Sequence, residues 1–145
     1  METENHCDQI ILLLGFIKTA VSLHIDSGSR ILNAFAAVKN DGSVVTWGEP
    51  EEGGNSSSVA SSLVSGVVNI YSTGYAFAAL KLDGSVVVWG NVSSGGDFNS
   101  SSVSLSNGVV NIFSTMYAFA ALKNDSSVVT WGSSSYGGDS SSVAS

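Results

Sequence analysis

Basic side chains are scarce in this sequence: five Lys and Arg stand against twelve Asp and Glu, a net charge of −7 over 145 residues. Nothing in that balance attracts a phosphate backbone, so nucleic acid is not expected as a partner. Cysteine is nearly absent as well, and Cys7 alone excludes an intrachain disulfide framework and a thiolate metal cluster. His6 and His24 lie near Asp8 and Asp26, but their spacing matches no zinc pattern, and no metal or other cofactor is expected. The one proline, Pro50, stands among Glu49, Glu51 and Glu52. That stretch reads as a solvated acidic loop, because a calcium site needs several oxygens fixed by a defined turn. Long apolar runs are missing too. Residues 10–17 are apolar until Lys18 interrupts them, too short a run to span a bilayer.

The apparatus of catalysis is equally thin. The Gly pairs lack the Lys and the following helix that a phosphate cradle needs. Ser runs at 56–58, 100–102 and 140–142 carry no His or Lys base beside them, and an unactivated Ser is a poor nucleophile. The chain is therefore expected to be non-enzymatic. Asn55, Asn91, Asn99 and Asn124 fit the glycosylation pattern, but so Ser-rich a chain produces such matches by chance.

What the sequence does have is repetition. Residues 76–90 read AFAALKLDGSVVVWG, and close copies run over 34–48 and 118–132. Trp47, Trp89 and Trp131 are spaced by 42 residues, and so are the Gly pairs that begin at Gly53, Gly95 and Gly137. A fixed period of this size marks a repeat protein. Each copy is two short apolar runs around a turn. Asp-Gly between such runs signals a hairpin, because both residues tolerate positive φ. With Asp83 and Gly84 as a two-residue loop, Leu80 faces Val87 and Ala78 faces Trp89 on one apolar side. The third turn, Asn124-Asp125-Ser126, lacks the glycine and is expected to be the least well formed.

The aromatic residues supply most of the area that can be buried, and the alanines sit where a neighbouring layer must come close. Trp47, Trp89, Trp131, Phe35, Phe77, Phe119, Leu80 and Leu122 are expected to form the structural core of the repeats. The central Trp89 should pack against both neighbours, and Trp131 should matter less. Residues 67–71 and 109–113 are short and β-branched, hence strands preceding the second and third hairpins. The Gly- and Ser-rich connections 49–66 and 91–108 read as loops with room for one short strand. Before the first hairpin, residues 31–33 stand in place of the strand run, as an atypical terminal repeat would have it.

The expected architecture is all-β: tandem hairpin repeats over 31–145, forming a partial propeller or a stack of sheets. Residues 1–30 are acidic and then apolar, and read as a helix or strand capping the open edge of the first hairpin. A signal peptide ending near Ala20-Val21-Ser22 is the alternative, opposed by an acidic rather than basic start. The compartment stays open.

The string GYAFAALKLDGSVVVWG at 74–90, followed by Gly95-Gly96, resembles the repeat of the regulator-of-chromosome-condensation family, whose units end in an Asp-Gly turn, a strand, Trp-Gly and a Gly-rich loop. The likeness is good over 67–145 and partial over 34–66. It implies blades of a seven-bladed β-propeller and a role as a protein-interaction platform. The founding members bind chromatin and exchange nucleotide on a small GTPase, but this repeat is shorter, an Ala-Phe pair replaces the family's His, and the Gly-Gln-Leu-Gly loop becomes Gly-Gly-Asn or Gly-Gly-Asp. No exchange-factor residue carries over. Two functions follow as expectations: an interaction module that binds a protein partner, or a self-assembling structural subunit of a fibre or coat. In the second, homo-oligomers form through strand edges left open at both ends of the repeat array.

Overall fold

The computed structural model describes residues 17–22, 34–98 and 105–143, the first of these as backbone. The His6, Cys7, Asp8, His24 and Asp26 positions and the 31–33 stretch lie outside the described residues. Among the described residues the strands are β1 (Ile17–Ser22), β2 (Ala34–Lys39), β3 (Val44–Gly48), β4 (Val67–Ser72), β5 (Ala76–Lys81), β6 (Val86–Gly90), β7 (Val109–Ser114), β8 (Ala118–Lys123) and β9 (Val128–Gly132). They form three antiparallel sheets in the orders β1-β2-β3, β4-β5-β6 and β7-β8-β9. The fold is all-β and repetitive. No helix among the described residues is long and apolar enough to cross a membrane.

The hairpins form, but one residue out of the expected register. Phe77 pairs with Trp89, Ala78 with Val88, Ala79 with Val87 and Leu80 with Val86. The loop has three residues, not two. Lys81 N donates to Ser85 O at 2.9 Å, Gly84 N donates to Lys81 O at 3.0 Å, and Gly84 takes a left-handed φ of 78°. This is the turn-plus-bulge hairpin, in which the glycine closes the loop instead of sharing a two-residue turn. The corrected register places Ala76, Ala78, Leu80, Val86 and Val88 on one face, and Phe77, Ala79, Val87 and Trp89 on the other.

Both faces of the middle sheet are covered. Its alanine-rich face packs on Val109, Ile112, Phe119, Ala121 and Trp131 of the third repeat. Its aromatic face packs on Ala34, Ala36 and Val38 of the first. Each repeat therefore offers a forward face of small residues to the aromatic rear face of the next. At 25 cal/mol per Å² of apolar area, a buried Phe or Trp outweighs any single hydrogen bond of the turns.

Two expectations about connections give way. The first connection holds no strand: Pro50–Glu52 and Ser57–Ser62 are 3-10 helices. Val59 and Leu63 stand four apart, the spacing of a helical turn and not the alternation a strand needs. Leu63 and its counterpart Leu105 plug the gaps between sheets, at 3% and 1% exposure. The first repeat also does not lack its leading strand. β1 pairs Ile17 with Lys39, shifts by one residue, and continues from Thr19 with Val38, as β4 pairs Val67 with Lys81 and then Asn69 with Leu80. The period hid it because residues 23–33 separate β1 from β2, whereas only 73–75 separate β4 from β5.

The third turn keeps the geometry of the others without its glycine. Ser126 holds φ at 70°, and Ser126 N donates to Lys123 O at 3.0 Å. A left-handed non-glycine residue is strained by roughly 1 kcal/mol. Ser126→Gly is expected to raise stability by about 0.5–1 kcal/mol in urea unfolding, part of the gain being lost to the freer unfolded chain. An unchanged or lower midpoint would contradict the strain.

Candidate functional site

The joints between repeats are built from the Trp and Gly positions of the 42-residue period. Trp89 Nε1 donates to the Gly53 carbonyl at 2.9 Å, and Trp131 Nε1 donates to the Gly95 carbonyl at 3.1 Å. Each indole reaches back to the Gly loop of the preceding repeat. Gly53 and Gly95 are there for two reasons. Their φ values are 101° and 98°, and a Cβ on either would stand 2.5 or 2.6 Å from the ring of Phe77 or Phe119. Phe and Trp stack within each hairpin: the centroids are 5.2 Å apart in Phe35–Trp47, 5.4 Å in Phe77–Trp89 and 5.0 Å in Phe119–Trp131.

Of the residues singled out from sequence, Trp89, Trp131, Phe77, Phe119 and Leu80 are buried. Phe35, Trp47 and Leu122 are half-buried, being on the outer faces of the first and third sheets. Trp131 is no less enclosed than Trp89, at 2% exposure each. The terminal tryptophan in the energetic sense is Trp47, because each tryptophan packs backward and the third therefore has a full neighbour.

The hairpin turns supply the second joint. The Gly42 carbonyl accepts from Val67 N and the Gly84 carbonyl from Val109 N, both at 3.0 Å. Within each turn the aspartate is committed to its own loop. Asp83 Oδ1 accepts from Ser85 Oγ at 2.6 Å and from Ser85 N at 2.9 Å, and Asp41 and Asp125 repeat the arrangement with Ser43 and Ser127. These bonds, the serine hydroxyl first and its N–H next, hold the three carboxyls below the ordinary aspartate range. Asp139 is lowered chiefly by the Ser141 N–H. Among the described residues no three His, Cys, Asp or Glu side chains converge as metal ligands would.

At the opposite end of the sheets from these turns lies a surface that the sequence reading passed over. Tyr75 and Tyr117 precede β5 and β8, and their rings stack at 5.6 Å and 14°. Tyr136, on the 3-10 turn Ser134–Tyr136, extends the row at 4.5 Å from Tyr117. Tyr136 and Met116 are exposed, at 55% and 43%. The row is held from beneath. Thr73, which is buried, accepts from Ala76 N and donates to Ser94 O, each at 3.0 Å. The Tyr75 and Tyr117 carbonyls accept from Asn91 N and Ser133 N at 2.9 Å. Tyr75 and Tyr117 share the 42-residue spacing and were legible on that ground; Tyr136 has no counterpart at the period.

Trp89→Ala and Trp131→Ala are each expected to cost roughly 3–5 kcal/mol in chemical unfolding, and Trp47→Ala clearly less. Trp89→Phe, which keeps a ring but orphans a buried carbonyl, should cost about 1–3 kcal/mol. Three tryptophan variants that melt like the parent would remove the joint as the source of stability. The turn aspartates have a pH signature. Their lowered folded-state values give a contribution present above the unfolded aspartate value of about 3.9 and lost as pH falls through the lower folded value. Asp83→Asn should therefore lower Tm at neutral pH, and the gap to the parent should close below that value. A gap constant with pH would argue against it.

No protein-family model matches the chain, and no curated protein matches it by sequence. Comparison with solved structures does find neighbours. The crystal structure of human WBSCR16 matches with a TM-score of 0.53 and 20% identity, covering 83% of this chain and 35% of that one. Prp20p from Saccharomyces cerevisiae, whose structure accompanies its binding properties to Gsp1p and histones, matches with a TM-score of 0.49 and 18% identity, covering 70% of this chain and 29% of that one. The chain thus spans about a third of the length of these neighbours. Both are proteins of the regulator-of-chromosome-condensation type, and the match to WBSCR16 shows the fold of this chain to be an all-β propeller-type repeat.

Proposed function

We propose that the chain is a non-enzymatic protein-interaction module built of regulator-of-chromosome-condensation type repeats, with the tyrosine row as its contact surface. The observation that carries this reading is the row itself, three aromatic rings in contact that end in exposed Tyr136, with exposed Met116 preceding the central Tyr117 in the chain. Tyr and Met are enriched where proteins meet, Tyr because its rigid ring brings large area at low conformational cost and Met because its flexible thioether adapts to the partner's shape. The sheets beneath supply rigidity, and variable Gly- and Ser-rich turns around the row supply the freedom to differ between partners. Support for a role without catalysis comes from the use of the carboxylates, since Asp41, Asp83 and Asp125 each serve their own turn. The charge of −7 supports a protein partner over nucleic acid, and self-association belongs to the same reading.

The test is affinity capture with the purified chain, followed by titration calorimetry with the captured protein after its own purification. A Met116→Ser, Tyr117→Ser double variant that keeps the parent melting curve is expected to lose binding at least tenfold. Binding that survives the double variant, or no protein that titrates with the parent, would refute the surface.

A further inference from the structure

The third repeat ends in a socket of a kind that the first two repeats show filled. In the second repeat Val86 is 6% exposed under the third; its counterpart Val128 is 56% exposed. Ala120 and Leu122 on the same face are half-buried, where Ala78 and Leu80 are buried. Gly137 has the φ of Gly53 and Gly95, at 99°, yet nothing lies within 4 Å of where its Cβ would stand. Among the described residues no donor reaches the Gly137 carbonyl, whereas Gly53 and Gly95 each hold an indole. The Ser126 carbonyl likewise has no donor among the described residues, although its counterparts at Gly42 and Gly84 accept from the leading strand of the next repeat. A groove of about 540 Å³ runs along β9 past Phe98, Val128 and Asp139, and a hollow of about 110 Å³ opens between Phe113, Phe119 and Gly137.

The first repeat carries the matching plug. Phe35 and Trp47 stack in the arrangement of the two pairs that fill the internal sockets, with an interplanar angle of 12°. Both are half-buried, and among the described residues Trp47 Nε1 has no acceptor. We propose that the outer face of the third repeat receives the Phe35–Trp47 hairpin of a second copy of this chain. Trp47 Nε1 then donates to the Gly137 carbonyl, and the Phe35 ring lies over Gly137. The occupant follows from continuity: this contact is the third member of a series whose first two members lie inside the chain. It joins faces and not strand edges, and it is heterologous, so it grows into open arrays unless the rotation closes a ring. The faces that meet are apolar, while the chains repel through a charge of −7 each, so added salt strengthens the association.

This deepens the interaction reading by naming a second copy as a partner, yet uses a surface apart from the centre of the tyrosine row. The experiment is multi-angle light scattering of the whole chain over a concentration series at low and high salt. The mass should rise above 14.8 kDa with concentration, and more steeply with salt. Val128→Lys should hold the mass at the monomer value without lowering Tm. Trp47→Phe, which keeps a stacked ring without its N–H, should weaken association about five- to tenfold, the equivalent of one hydrogen bond. A mixture of Val128→Lys with Trp47→Ala should form a one-to-one dimer, because one chain keeps the plug and the other the socket. A mass of 14.8 kDa under all conditions, parental association in Val128→Lys, or a mixture that stays monomeric would each overturn the proposal. Partner capture that survives Val128→Lys separates this outcome from the tyrosine-row reading.

Discussion

The fold depends on one contact, the indole N–H that reaches a glycine carbonyl one repeat back. A tryptophan buried between two sheets must satisfy its single donor, and the nearest acceptor is the backbone of the neighbouring loop. That requirement fixes the loop. Only a residue without Cβ lets the phenylalanine ring approach, and only a left-handed backbone turns the carbonyl toward the indole, so both demands fall on Gly53 and Gly95. The facing sheet must in turn be lined with alanine, or two rings could not enter. Trp, Phe, Ala and Gly thus recur together because each is the condition for the next.

That linkage explains how much was legible in the sequence. A constraint shared by four residue types leaves a period of 42 that survives drift between copies, and the period delivered the hairpins and the layered arrangement. What it could not deliver was register. Asp-Gly serves two-residue and three-residue loops alike, and the choice is made by a serine two places after the aspartate. Ser43, Ser85 and Ser127 each donate twice to that aspartate and draw the loop into the longer form. β1 is the strand expected over the edge of the first hairpin, but its equivalence to β4 and β7 was hidden because its pairing repeats while its spacing does not. The tyrosine row was missed for a related reason, since its outermost member is unique to the third repeat.

The repeats are not interchangeable, and the differences come in sets. Thr46 shares a hydrogen bond with Ser56 at 3.0 Å, and Thr130 donates to Ser140 at 3.1 Å. In the middle repeat the equivalent residues are Val88 and Phe98. Both partners have changed together, so no hydroxyl is left without its mate, and Phe98 turns its edge to Trp131 at 5.8 Å. A part-buried polar pair has become an apolar pair at the joint between the second and third sheets.

The three sheets do not join into one larger sheet; each keeps its own ladder and meets only the next. Stability in such a chain is a sum of unit terms and nearest-neighbour terms, as in a one-dimensional lattice of coupled spins. The middle unit is held by two couplings and each outer unit by one. Opening therefore proceeds inward from the ends, and amide protons of β5 exchange only when the whole lattice has melted.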